Sequence, residues 1–411
     1  MAGGTSLSWA RRAAARPGYR WYALGLTTYT QAAAIIISAA TGPLAPLLQS
    51  ELGITRTEIG LFQSVLALTM TGAALAGGRA ADRLGERLVL IASGLVMGVA
   101  SLTTVFVGSF GALLLVALAL GLGSGVQNPA GSAAIMRWFP PRRRGVAMGI
   151  RQTGVPFGGV FAAIALPWVA ISWGWRAAYV VAGLLSLLGA AVVAASYFDP
   201  PRETGPGAAR MRSLRDLVAD RRLWLLSVTY NGQIVAQYAA TVYLVLFLHE
   251  AHQFSLAGAA ALLALTNVTA IGARIGWGLL SDSVFAAARR PVFVIVIGLT
   301  LAGTLAAAAL PREAPGWLVV AFVVLLGLSA FSWTGIWVAM TVELSGAASA
   351  ASAVAWVQFL GGVGSLAGPP IFGYLVDSTG SYRIAWLATA LPVVLGLVAI
   401  LRLREGPGGG R

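Results

Sequence analysis

The chain has 411 residues, of which 58% are hydrophobic and 10% charged, with a formal net charge of +14 and no cysteine. A soluble domain carries about a quarter charged residues, so this composition excludes one and points to a protein embedded in a bilayer. Disulfide and thiol chemistry are excluded with the cysteines. The positive charge is all arginine and sits in loops between apolar stretches, which reads as membrane topology and not as a nucleic-acid surface.

Taking roughly 20 apolar residues as one crossing, the sequence predicts an all-α integral membrane protein of twelve spans. They run near 21–48, 57–78, 87–108, 110–138, 144–170, 175–198, 222–249, 256–281, 291–310, 316–342, 348–375 and 382–403. Arg11, Arg12, Arg16 and Arg20 precede a full-length span and not a short apolar run with a cleavage site, so no cleavable signal is read. One set of loops holds Arg79, Arg83, Arg87, Arg137, Arg142 to Arg144, Arg202, Arg210, Arg212, Arg215, Arg221, Arg222, Arg289 and Arg290. The opposite set holds only Arg56, Arg176, Arg312 and Arg383, diluted by Glu51, Glu58, Glu250, Glu313 and Asp377. By the positive-inside rule the arginine-rich side is cytoplasmic, with both termini on it, in the inner (plasma) membrane.

The longest polar stretch divides the chain. Residues 1–198 form a first six-helix half, 199–221 a cytoplasmic linker with a short helix at Leu214 to Asp220, and 222–411 a second six-helix half. The halves repeat each other weakly. Gly78-Arg-Ala-Ala-Asp82 ends the second span as Gly278-Leu-Leu-Ser-Asp282 ends the eighth, and Gly174-Trp-Arg176-Ala-Ala-Tyr179 matches Ser381-Tyr-Arg383-Ile-Ala-Trp386. Two matches in register argue for a duplication, which suggests a pseudo-symmetric transporter with its site between the halves.

The loop Gly78-Arg-Ala-Ala-Asp82-Arg83-Leu-Gly85-Glu86-Arg87 resembles the signature Gly-x-x-x-Asp-Arg-x-Gly-Arg-Arg of the major facilitator superfamily, with Glu86 in place of a basic residue. The resemblance covers essentially the whole chain, implies the major facilitator fold, and says nothing of the substrate. It implies a gating role for Gly78, Asp82, Arg83 and Asp282. Gly78 is read as a close helix contact, and Asp82 as an acceptor for arginines or a helix N-terminus, a charge lock broken during alternating access.

Arg274 is the one charge well inside the eighth span. It stands eight positions before Asp282, about 12 Å along the helix and near the midplane of a core about 30 Å thick. An intramembrane charge marks a functional site by default; the bland reading is an arginine bonded to carbonyls of broken helices. The stretch around it resembles the monocarboxylate and oxalate–formate transporters, where an arginine here pairs with the substrate carboxylate. The eleventh span has Gln358 where some members carry a basic residue, which argues against a dicarboxylate. In the fifth span Arg151 either lines the cavity or caps its entrance, and Pro156 predicts a kink. The arginine that proton-coupled members carry in the fourth span is missing.

Further candidates for the path are Tyr29 and Gln31, with Tyr230 and Asn231 opposite them by the repeat, then Gln127, Asn128, Asn267, Trp333 and Trp337. Each is equally readable as packing between helices. Ser38-Ala-Ala-Thr41-Gly42-Pro43 predicts a bent outer half of the first span. His249, Glu250 and His252 have metal-compatible spacing without a third ligand type in reach, so a solvated loop is preferred and no metal is read. No acid is placed near the midplane, so the counter-charge to Arg274 and Arg151 is expected to be the substrate.

The leading function is therefore a secondary active or facilitative transporter of a small organic anion, a monocarboxylate, moved by symport with a proton, by uniport or by exchange. Its partners are that anion and the lipid bilayer, with no nucleic acid and no cofactor, and the chain is read as a monomer. The alternatives are an exporter of drugs or hydrophobic compounds on the same fold, and a receptor or scaffold that moves nothing. No nucleophile–base set, phosphate loop or metal cluster supports an enzyme.

Overall fold

The computed structural model describes residues 18–199, 214–285, 288–345 and 350–403. Every regular element among them is helical. Ten of these helices are long and apolar enough to cross a membrane. One of the ten, Ala147–Ser196, is 50 residues long and holds two crossings. It turns at Gly174, whose φ of +83° a side chain would strain. Gly154 and Gly189 lie on either side of that turn, yet both face residues 28 to 32 of the first span. The chain has therefore doubled back. The tenth span completes the twelve expected crossings, in two pieces.

The interruptions follow from local chemistry. The first span breaks between Tyr19–Ser38 and Thr41–Leu52, where the bend was read. The fifth breaks between Pro141–Gln152 and Gly154–Ser196, because Pro156 has no N–H for the carbonyl of Gln152. The tenth breaks between Gly316–Leu328 and Thr334–Ser345, where Ser329 leaves helical geometry at φ −123° and ψ −81°. The eleventh breaks at Gly362, between Ala350–Gly361 and Val363–Thr379. Outside water, an interrupted helix is tolerated only where protein or a wet cavity supplies partners for its freed carbonyls.

The chain divides into two compact units. The first holds residues 1–40 and 65–204. Its core is knitted from Ala23 and Leu26 of the first span, Ala81, Val89 and Leu90 around the signature loop, Ala130 and Ala134 of Phe110–Trp138, and Val193 and Tyr197. Small residues set the spacing, as membrane helices require. A Cβ at Gly77 would stand 2.6 Å from Val126 Cα, so the close approach falls here. At Gly78, where the signature predicted it, the Cβ position is open. Leu115, Leu118 and Leu122 are exposed along one stripe of Phe110–Trp138, three and four positions apart, as a lipid-facing surface demands.

The second unit holds residues 41–64 and 205–411. Residues 41–64 pack directly on backbone. A Cβ at Gly60 would stand 2.5 Å from the carbonyl of Pro369, and one at Gly373 would collide with the carbonyl oxygen of Arg56. The Tyr243 hydroxyl lies between the same partners, bonding the carbonyls of Arg56 at 2.8 Å and Pro369 at 2.7 Å.

Candidate functional site

Arg274 belongs to helix Leu256–Ser283 of the second unit. Its Nε and Nη2 both donate to the carbonyl of Phe331, at 3.3 and 3.0 Å. Phe331 sits in the break of the tenth span, where carbonyls have lost their helical partners. Trp277, one turn after Arg274, serves the same break. Its Nε1 donates to the carbonyl of Leu328 at 2.7 Å and to Ser332 Oγ at 3.1 Å. Two side chains three apart on one helix thus hold an interruption in another.

The bond to Phe331 does not exhaust Arg274. A guanidinium has five N–H donors in a planar fork. Phe331 takes the edge made by Nε and Nη2, while Nη1 bonds to nothing among the described residues. The free edge, Nη1 with the second Nη2 hydrogen, is the two-toothed shape a carboxylate or sulfonate matches.

Tyr230 and Asn231 occupy the helix Arg221–Leu246 in the same unit. The Tyr230 ring meets Trp333 at 5.0 Å and Trp337 at 4.8 Å between centroids. Trp333 Nε1 donates to Gln237 Oε1 at 3.0 Å. Asn231 Nδ2 donates to the carbonyl of Gly361 at 3.1 Å, beside the break of the eleventh span. Gln233, three positions after Tyr230, is buried with neither amide atom bonded, and the Trp337 indole nitrogen is also unpartnered. Asn267 instead turns to its own helix, bonding the carbonyl of Leu263 at 3.0 Å, and Gln358 is exposed.

The first unit gathers the other candidates. Arg151 is 0% exposed. Its Nη1 donates to Asn128 Oδ1 and Ser132 Oγ, both at 3.1 Å, and its Nη2 donates to the carbonyl of Asn128 at 3.3 Å. It ties the fourth span to the fifth, and its Nε has no partner among the described residues. Gln31 Nε2 donates to Gln152 Oε1 at 2.9 Å, and Gln127 Nε2 to Thr30 Oγ1 at 3.2 Å. Tyr29 donates to the carbonyl of Leu185 at 2.8 Å.

Of the gating residues, the side chain of Asp82 lies outside what the structure describes, and Arg83 is exposed. Asp282 pairs with Arg289, which also reaches Glu343 Oε1 at 3.1 Å and Ser281 Oγ at 2.9 Å. That arginine joins the ends of the eighth and tenth spans. The two histidines go to separate partners: His249 Nδ1 meets the carbonyl of Phe254 at 2.7 Å, and His252 Nδ1 meets that of Arg312 at 3.4 Å. Burial pushes the His252 imidazole below its ordinary value, toward the neutral form.

Sequence reasoning did not find Trp277, Gln237 or Glu86. Trp277 carried a signal, its i+3 spacing from Arg274. Glu86 carried another, as the departure from the basic pattern of the loop.

Comparison with known proteins agrees with this architecture. The Major Facilitator Superfamily profile matches residues 28–364. Among relatives, "Probable sulfoacetate transporter SauU" of Cupriavidus necator is 28% identical, covering 87% of both chains. "Hexuronate transporter" of Bacillus subtilis is 21% identical over 92% of both. "Monocarboxylate transporter 13" of Bos taurus is 27% identical over 80% of this chain and 76% of its own. A solved bacterial homologue of the human lysosomal transporter Spinster superposes with a TM-score of 0.80 at 18% identity, covering 96% of this chain and 100% of that one. The chain belongs to the major facilitator superfamily of membrane transporters.

Proposed function

We propose that this protein transports a small organic anion bearing a carboxylate or a similar two-oxygen acid group, a monocarboxylate in the simplest case, and that Arg274 is its principal contact. The observation that carries the reading is the half-used guanidinium: one edge is fixed on Phe331 and the other has no bond among the described residues. A cation kept inside a membrane span without an acidic partner among the described residues is costly unless an anion visits it. The relatives' names support the class, since sulfoacetate, hexuronates and monocarboxylates are all organic anions. Tyr230, Trp333 and Trp337 supply an aromatic wall in the same unit, and Gln233 and Gln237 its polar groups. Arg151, with Asn128, Gln127, Gln31 and Tyr29, is assigned to the polar lining of the first unit. The inner membrane location, cytoplasmic termini, a monomeric state and a gating role for Asp82 belong to the same proposal.

The test is ligand-induced thermal stabilisation of the purified protein, wild type beside Arg274→Ala, against monocarboxylates, dicarboxylates, sulfonates, inorganic anions and lipophilic cations. Stabilisation by organic anions that disappears in the variant supports the reading. Stabilisation by lipophilic cations alone overturns it in favour of an exporter.

A further inference from the structure

Glu86 is the first residue of helix Glu86–Leu102 and is 0% exposed. The loop motif would place a basic residue here, and the chain buries an acid instead. Neither carboxylate oxygen has a hydrogen-bond partner among the described residues. Its cation is Arg137, from the end of Phe110–Trp138, whose Nη1 lies 2.7 Å from Oε1 but out of line for a hydrogen bond.

The other charged and titratable neighbours face elsewhere or oppose it. Asp199, beyond the end of the sixth span, accepts from the Arg87 backbone N–H at 2.8 Å. Gly85, at φ +93°, leaves room for that carboxylate, which a Cβ there would strike. The Arg87 guanidinium turns toward the carbonyl of Ala194, which accepts from Nη2, and toward the ring of Phe198. The Tyr197 hydroxyl accepts from Trp138 Nε1 at 3.2 Å, and the Tyr19 hydroxyl donates to the carbonyl of Ser196 at 2.8 Å. Enclosure and the negative Asp199 disfavour the carboxylate form of such a group, and Arg137 favours it. Its protonation therefore follows the position of one arginine, which is itself 27% exposed and has a route to water.

We propose that Glu86 is a proton-binding site at the arginine-rich end of the first unit. When Arg137 withdraws, an O–H bond forms on a Glu86 oxygen with a proton from the adjoining water phase, and the local charge rises by one. When Arg137 returns, that bond breaks and the proton leaves. The loop that resembles the family's gate thereby carries a protonation state, in a chain without the arginine that many proton-coupled members carry in the fourth span.

The test is an infrared titration of the full-length purified protein in lipid, which needs no substrate and is independent of the role of Arg274. Lowering pH from about 9 to 5 should raise a carboxyl C=O band that is missing in Glu86→Gln, above the range of an ordinary Glu near 4.3. Arg137→Gln should move its midpoint up and Asp199→Asn should move it down, each by about one unit. A band that persists in Glu86→Gln, or carboxyls that all titrate near the ordinary value, overturns the proposal. If Glu86→Gln fails to fold, the two opposite shifts decide it alone: both must occur, and identical midpoints in the three proteins overturn it.

Discussion

Arg56 reaches Glu250 across 194 positions of sequence, Nη2 to Oε2 at 2.7 Å, and bonds Asp377 Oδ1 through Nη1 at 3.2 Å. Tyr382 donates to the same Glu250 oxygen at 2.7 Å, and Thr57 gives Asp377 both its N–H and its hydroxyl. The start of helix Arg56–Leu84 is therefore fastened to the ends of the seventh, eleventh and twelfth spans. Arg56 and Glu250 are 30% and 26% exposed, so water screens the pair in part. A double-mutant cycle of Arg56→Gln and Glu250→Gln, read by thermal unfolding, should give a coupling of about 0.5–1 kcal/mol that shrinks with salt. Additive effects would mean that the two residues do not act together.

The same fastening rests on glycine. A Cβ at Gly373 would run into the carbonyl of Arg56, which is backbone and cannot step aside. Gly373→Val should lower stability by about 1–3 kcal/mol and loosen residues 41–64. The chain has no cysteine, so a single Ser64→Cys is a clean reporter. Ser64 donates to the carbonyl of Leu366 in the packed arrangement. Thiol labelling of Ser64→Cys should quicken in the Gly373→Val background, and unchanged labelling would count against a loosened segment.

Trp277 makes a separate prediction. Trp277→Phe keeps an aromatic side chain, smaller by the pyrrole ring, and removes the N–H given to Leu328 and Ser332. The Leu328 carbonyl keeps its bond from the Ser332 hydroxyl at 2.6 Å, so the change removes one bond of two in a membrane span, where each contributes about 0.6–2 kcal/mol. Unfolding temperature should fall, and the break at 329–333 should open to hydrogen exchange faster than the Gly316–Leu328 piece before it. Equal exchange in both pieces would show that the indole does not hold the break.

Much of this was legible from residue order. Twelve apolar stretches, the duplicated Gly-x-x-x-Asp ends and the arginine of the eighth span are all one-dimensional patterns, and the helices lie where those patterns put them; most of the expected linker, 200–213, lies outside the described residues. Pro156 and the Thr41-Gly42-Pro43 run announced their breaks because proline removes a donor wherever it falls. The break at 329–333 had no such marker. It is written in Ser329, Ser332 and Thr334, which bond locally with equal ease inside a helix or at its end. Nor does sequence tell which edge of Arg274 is spent. The brace for broken-helix carbonyls uses one edge of the guanidinium, and the anion contact proposed above would use the other. Glu86 shows in the sequence only as a departure from the basic pattern of the loop; packing shows it enclosed.

Arg151 offers the sharpest test of a brace. Its guanidinium lies flat against Gly131, where a Cβ would stand 2.5 Å from Nη2, 2.8 Å from Nε and 2.9 Å from Cζ. The bonds to Asn128 and Ser132 exist only because residue 131 has no side chain. Gly131→Ala must push the guanidinium away, and overpacking of this size costs about 1–3 kcal/mol. The helix propensity of alanine works the other way, by about 1 kcal/mol in its favour. The net loss should therefore be modest in the wild-type background and should vanish or reverse once Arg151→Leu has removed the obstructing group. That reversal is the discriminating result, because a steric clash with any other neighbour would persist when Arg151 is gone. If Gly131→Ala costs the same with and without Arg151, the glycine is there for the helix packing around it, and the arginine's place is set by Asn128 and Ser132 alone.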